Sequence, residues 1–265
     1  MMKHRFPGHN IYTADILGNG KFHDLPTPLT IKENVDGLRM QVPKEGKKLL
    51  FGFSLGGMLT AEWAFQHPEE VEALILINTS FDGSPFYKRM TPKAFGSFLL
   101  GSRERDLVRR EALNLKVTTG LADEQITELA PHWSKRNEVH PVHPANFARQ
   151  MYLATQARLR PSPPPVPILI LSSGKDRVVH PDCSKHIAEK WRVPLIVHPT
   201  AGHDLTLVDP KWTVDQVENW LTSLNLLKTK KPLIKSGRQS RGDIKNPKRR
   251  NSASKNVHRP VGSEN

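Results

Sequence analysis

The chain has a single cysteine, Cys183, so an internal disulfide is excluded and nothing in its sulfur chemistry calls for an oxidising compartment. Long apolar runs are also missing. The longest stretches, such as residues 73–77, are far too short to span a bilayer, and residues 1–10 carry Pro, Gly and His where a secretory leader needs an apolar segment. A cytoplasmic setting is therefore the default expectation. Acidic residues are scarce at one end only: residues 228–265 hold 12 Lys and Arg against Asp243 and Glu264, leaving 27 basic and 24 acidic residues in the first 227. The net charge of +13 thus belongs mostly to the last segment, and the body of the chain is near +3.

That basic segment is poor in large apolar residues, so it cannot bury enough surface to offset the entropy of ordering it, and it is expected to be a disordered tail. Its Lys248-Arg249-Arg250 run offers a weak electrostatic contact to nucleic acid or another anionic surface, without an aromatic residue to stack on a base. The remaining residues, with 37% hydrophobic content in the whole chain, suit a globular core.

Residues 10–17 and 48–53 read as short buried strands. Between them, Thr30 followed by Glu33 forms a capping box, and Ile31, Val35 and Leu38 fall on one helical face. A helix over 55–67 ends at Pro68, and residues 73–77 supply the next strand. Alternation of this kind predicts an α/β fold, with a mostly parallel sheet flanked by helices. The alternation then stops. Residues 103–115, 123–129 and 145–159 suit helices, which predicts a helical cap insertion over 81–165, closed by the stiff Pro161-Ser162-Pro163-Pro164-Pro165 connector. Strands at 168–171 and 195–198 and helices at 181–191 and 210–224 follow, the last opened by Asp209-Pro210. The expected division is a core of 1–80 and 166–227, the cap, and the tail 228–265.

Gly52-Phe53-Ser54-Leu55-Gly56 matches G-x-S-x-G. The bare pattern arises by chance in about one chain in ten of this length, so its placement between a buried strand and a helix carries the meaning. There a serine on a strained turn exposes its hydroxyl at the sheet's C-terminal edge, and the Leu55 amide points at a developing oxyanion. A serine hydroxyl needs a base, and the base needs an acid to fix its tautomer. Asp176 follows the strand at 168–171 and His203 follows the strand at 195–198, which makes them the candidate acid and base. Asp82 is the competing acid, and His180 and His198 are weaker bases. Phe53, Trp133, Phe147 and Met151 are candidates for lining a substrate pocket; Trp133, Phe147 and Met151 equally suit the core of the cap. His140 and His143 have the spacing of half a metal site that no nearby ligand completes, so no metal and no cofactor is expected.

These motifs resemble the α/β-hydrolase superfamily, in the group of pimeloyl-carrier-protein methyl ester esterases and related small carboxylesterases. The matching stretches are residues 12–21, 49–80 and 167–221. The resemblance implies cofactor-free hydrolysis of a small-molecule carboxylic ester through an acyl-enzyme; thioesterases and carbon-carbon hydrolases share the fold. Members of the family normally begin with further strands and a His-Gly loop that supplies a second oxyanion donor. Here the chain opens at what resembles the end of the first helix, Arg5-Phe6-Pro7-Gly8. Two expectations follow: an N-terminally truncated, weak or inactive protein, or a role for residues 6–9 in place of that loop.

Overall fold

The structure is a computed structural model and describes residues 1–227; the basic segment 228–265 lies outside the described residues. The described chain runs α1 (Met2–Arg5), α2 (Ile31–Arg39), β1 (Lys48–Phe53), α3 (Leu55–Gln66), β2 (Val71–Ile77), α4 (Phe86–Arg89), α5 (Pro92–Arg103), α6 (Leu107–Thr118), α7 (Asp123–Val139), α8 (Pro144–Gln156), β3 (Ile168–Ser173), α9 (Asp182–Trp191), β4 (Leu195–His198), α10 (Leu205–Val208) and α11 (Pro210–Ser223). The four strands pair in the order β1-β2-β3-β4, all parallel.

The sheet is held by a period-two sorting of apolar side chains. Leu74 and Leu76 of β2, with Ile168 and Ile170 of β3, join Val35, Leu38, Leu59, Trp63, Ile187 and Trp191 on the face covered by α2, α3 and α9. Ile75 and Ile77, with Leu169 and Leu171, join Leu205, Val214, Val217 and Leu221 on the face covered by α10 and α11. Most of these side chains are wholly removed from water, each worth about 1.5–3 kcal/mol. The architecture is the α/β arrangement expected from the sequence, a parallel sheet flanked by helices.

Local signals explain several boundaries. The Thr30 hydroxyl accepts from the Glu33 amide at 3.2 Å and opens α2. Asp209 accepts from the Trp212 amide at 2.9 Å and opens α11. The proline-rich connector delivers the chain to β3, and the Pro167 carbonyl accepts from the Leu74 amide at 2.9 Å.

Three expectations are corrected. Residues 10–17 form no strand. Among the described residues no neighbouring strand offers them a ladder, and the Gln41 side chain clamps Asp15 instead, accepting from its amide and donating to its carbonyl, both at 2.8 Å. Tyr12 consequently faces solvent. In the segment between β2 and β3, the helix expected at 103–115 runs instead over Leu107–Thr118, and α5 occupies residues that up to 102 are expected in no helix. Gly96 and Gly101 lower its helix propensity, yet Thr91 caps it and Pro92 fits its first turn. Finally, α7 continues through Pro131 instead of stopping at residue 129.

Candidate active site

Ser54 stands at the junction of β1 and α3, with φ 53° and ψ −121°, a conformation an L-residue adopts only when its surroundings enforce it. The enforcement is visible on both sides of the turn. The Ser54 amide donates to the Ile77 carbonyl at 2.9 Å, and the Ser54 carbonyl accepts from the Thr79 hydroxyl at 2.8 Å. A Cβ on Gly52 would stand 2.0 Å from Thr60 Oγ1, and one on Gly57 would stand 2.7 Å from the Thr79 Cβ. Gly56 has open space around it, so the crowded pair is Gly52 and Gly57 rather than Gly52 and Gly56.

Three side chains from separate loops converge here. His203 Nε2 lies 3.1 Å from Ser54 Oγ, and His203 Nδ1 lies 2.7 Å from Asp176 Oδ2. The other Asp176 oxygen accepts from the Val178 and Val179 amides at 2.8 and 2.9 Å, which fixes the carboxylate's orientation. With the Nδ1 proton directed at a buried carboxylate, Nε2 is left free to accept from the serine hydroxyl. Phe53 shields the imidazole, its ring 4.8 Å from that of His203. Leu55 opens α3, where its amide belongs to the first turn and has no helical carbonyl to reach.

Asn78 was not singled out from sequence. It is buried at the end of β2, donates to the His203 carbonyl at 2.6 Å and to Ser173 Oγ at 2.9 Å, and accepts from the Ser173 amide at 2.8 Å. Its φ of 44° is the feature that separates it from an ordinary residue ending a strand, and a sequence does not display φ.

The remaining candidates are placed elsewhere. Asp82 pairs with Arg158 at 2.9 Å; burial alone raises its carboxyl, but the Arg158 and Leu159 hydrogen bonds prevail and hold it low. His180 accepts from the Asp182 amide beside α9, and His198 accepts from the Ala201 amide at 2.9 Å. Cys183 is fully buried, and burial pushes its thiol up, away from the reactive thiolate. Trp133 packs with Leu115, Ile126 and Ala130 in the core between α6 and α7. Phe147 meets Phe98 of α5 edge to face, and Met151 is half-buried on α8. Phe6 is buried in the core cluster beneath α11, where Arg5 pairs with Asp215 and Glu218. His143 accepts from the Ala145 amide at the start of α8, while His140 faces His23. His67, Glu69 and Glu70 lie close enough to share an ion, but Glu70 is already engaged by Arg39 and by the Trp63 indole. A cavity of about 820 Å³ is lined by Lys175, Asp176, Arg177, His180, Thr200 and Gly202, among others; it borders the acid and not Ser54.

A sequence profile described as alpha/beta hydrolase family matches residues 2–216. No curated protein is significantly similar in sequence. Among solved structures, an enol-lactonase from Burkholderia xenovorans LB400 is similar with a TM-score of 0.60 at 21% identity, over 78% of this chain and 79% of that one. A thermophilic esterase from Thermogutta terrifontis gives 0.58 at 21% identity, over 79% and 78%. A meta-cleavage product hydrolase from Pseudomonas fluorescens IP01 gives 0.59 at 18% identity, over 74% and 73%. At these identities the likeness is one of fold.

Proposed function

The chain belongs to the alpha/beta hydrolase family, and we propose that within it this protein is a serine hydrolase that cleaves a small-molecule carboxylic ester through an acyl-enzyme. The observation that carries this reading is the continuous chain of contacts from Ser54 Oγ to His203 and on to Asp176, 3.1 and 2.7 Å long. Both distances lie within hydrogen-bond reach of a nucleophile, its base and the orienting acid.

In this mechanism Ser54 Oγ attacks the ester carbonyl while His203 Nε2 takes the hydroxyl proton. Asp176 holds the imidazole and stabilises the imidazolium that forms. The Leu55 amide donates to the oxyanion at the N-terminus of α3. Collapse of the tetrahedral species expels the alcohol, which receives the proton from His203. Water then enters and attacks the acyl carbonyl while His203 takes its proton; collapse breaks the bond to Ser54 Oγ, which receives that proton from His203 as the acyl group leaves as a carboxylic acid. No metal or cofactor takes part in these steps. Asn78 is a positioning residue, since it grips the backbone of His203 and touches no reacting atom.

A fluorophosphonate probe should label Ser54, with the adduct mapped by mass spectrometry, and labelling should vanish in Ser54→Ala. Folded wild-type protein that stays unlabelled would remove the case for catalysis. Nitrophenyl esters of graded acyl length then measure the acyl preference.

A further inference from the structure

The cap presents a surface that the proposed chemistry does not use. On α5, Ala94 and Gly101 are buried, and Phe98 packs against the cluster of Val178, Val179 and Cys183. The opposite side carries Pro92, Phe95, Gly96, Leu99 and Leu100, which follow helical spacing and end at Arg103. A surface helix normally turns polar residues to water there. Instead Phe95 is 51% exposed, Leu99 43% and Leu100 63%. On the neighbouring α6, Val108 and Leu113 are exposed as well.

The exposed charges around this face are of nearly one sign. From residue 92 to residue 116 the exposed charged side chains are Lys93, Arg103, Arg105, Arg109 and Lys116 against Asp106, with Glu104, Arg110 and Glu111 half-buried and Lys116 paired to Asp123 at 2.9 Å. Asp106 is itself occupied in capping α6, accepting from the Val108 and Arg109 amides. The excess is local: residues 92–116 hold six basic and three acidic side chains, while the first 227 residues together are only about +3.

We propose that the outward face of the α5–α6 hairpin docks on an anionic lipid surface. Acidic headgroups would meet Lys93, Arg103, Arg105 and Arg109 while Phe95, Leu99 and Leu100 enter the acyl boundary beneath them. A second copy of the chain would cover the apolar residues only by bringing like charges together, which disfavours that occupant. The hairpin also has a mechanical link to the site. At its start the Thr91 amide donates to the Val178 carbonyl at 2.9 Å, beside the Asp176 loop; at its end the Thr118 carbonyl accepts from the Asp204 amide at 2.8 Å, beside His203. The docking side chains themselves take no part in the proposed chemistry of Ser54, His203 and Asp176, so the two readings can be tested separately.

Co-sedimentation of the full chain with vesicles of phosphatidylcholine alone, and with about one third phosphatidylserine, tests the proposal. Binding should require the acidic lipid and weaken with salt. The triple variant Phe95→Ser, Leu99→Ser, Leu100→Ser should bind about 100-fold more weakly, with unchanged melting temperature and unchanged probe labelling. Arg105→Glu with Arg109→Glu should also lose binding. Three results would overturn the proposal: no vesicle binding by the wild-type chain, equal binding by the triple variant, or a wild-type dimer that the triple variant dissolves without any vesicle binding. Ser54→Ala should sediment like wild type, so a failure of the hydrolase reading leaves this measurement intact.

Discussion

Asn78 donates its side-chain amide to the backbone carbonyl of His203 at 2.6 Å, binding the end of β2 to the loop that carries the imidazole. The same amide group reaches Ser173 at the end of β3, so one residue ties three parts of the sheet edge together. Asn78→Ala leaves buried partners unsatisfied and should cost about 1–3 kcal/mol of stability. Because the substrate does not touch Asn78, the loss in turnover should fall on kcat with KM little changed. An unchanged kcat would show that the His203 loop holds its position without this bond.

Asp176 and Asp82 differ in what they face. Asp176 faces the imidazole and the Val178 and Val179 amides; Asp82 faces Arg158. Asp176→Asn should keep the fold yet lower kcat by about a thousandfold or more, because the amide favours the wrong imidazole tautomer. Asp82→Asn should lose part of its ion pair and leave kcat near wild type. The opposite pattern in esterase assays would reassign the acid.

Much of this arrangement was legible because particular residues state their surroundings. Apolar runs announced β2 and β3, Leu195–His198 was read at its observed bounds, and Asp209-Pro210 marked the start of α11. The proposed nucleophile, base and acid were legible for a similar reason, each lying in a polar or glycine-containing turn directly after a strand. α5 was not, because its apolar residues face outward and two glycines blur its propensity. Residues 10–17 have the apolar content of a strand but no strand beside them to pair with among the described residues, and composition does not display a missing partner. Asn78 stayed hidden because its role lies in contacts with residues 95 and 125 positions away.

Glu70 supplies a pH test away from the site. Its carboxyl is lowered from 4.5 to about 2, chiefly by the hydrogen bond from Arg39, opposed by burial and assisted by the Trp63 indole. A depressed carboxyl contributes stability that is fully present above the unfolded value and is lost as pH falls toward the folded one. Between about pH 4.5 and 2 the wild type should therefore lose up to about 3 kcal/mol from this group alone. Glu70→Gln should be less stable at neutral pH and show a flatter decline over that window. Urea unfolding midpoints at successive pH values measure the difference, and parallel curves for the two proteins would contradict it.

Gly52 and Gly56 bracket Ser54 symmetrically in sequence but not in space. A Cβ at Gly52 would stand 2.0 Å from Thr60 Oγ1, 2.7 Å from the Gly57 Cα and 2.8 Å from the Gly56 carbonyl oxygen. Thr60 has little freedom to yield, since its hydroxyl donates to that same carbonyl at 2.9 Å. Gly52→Ala should therefore destabilise the protein by about 1–3 kcal/mol or more, and shift the elbow enough to suppress probe labelling of Ser54. At Gly56 nothing stands within 4 Å, and the residue lies in the first turn of α3. Gly56→Ala should raise stability by about 0.4–1 kcal/mol, because alanine has fewer unfolded conformations to surrender. Urea unfolding of the two variants should move in opposite directions, and equal losses would mean that the elbow is constrained by the flanking glycines alike.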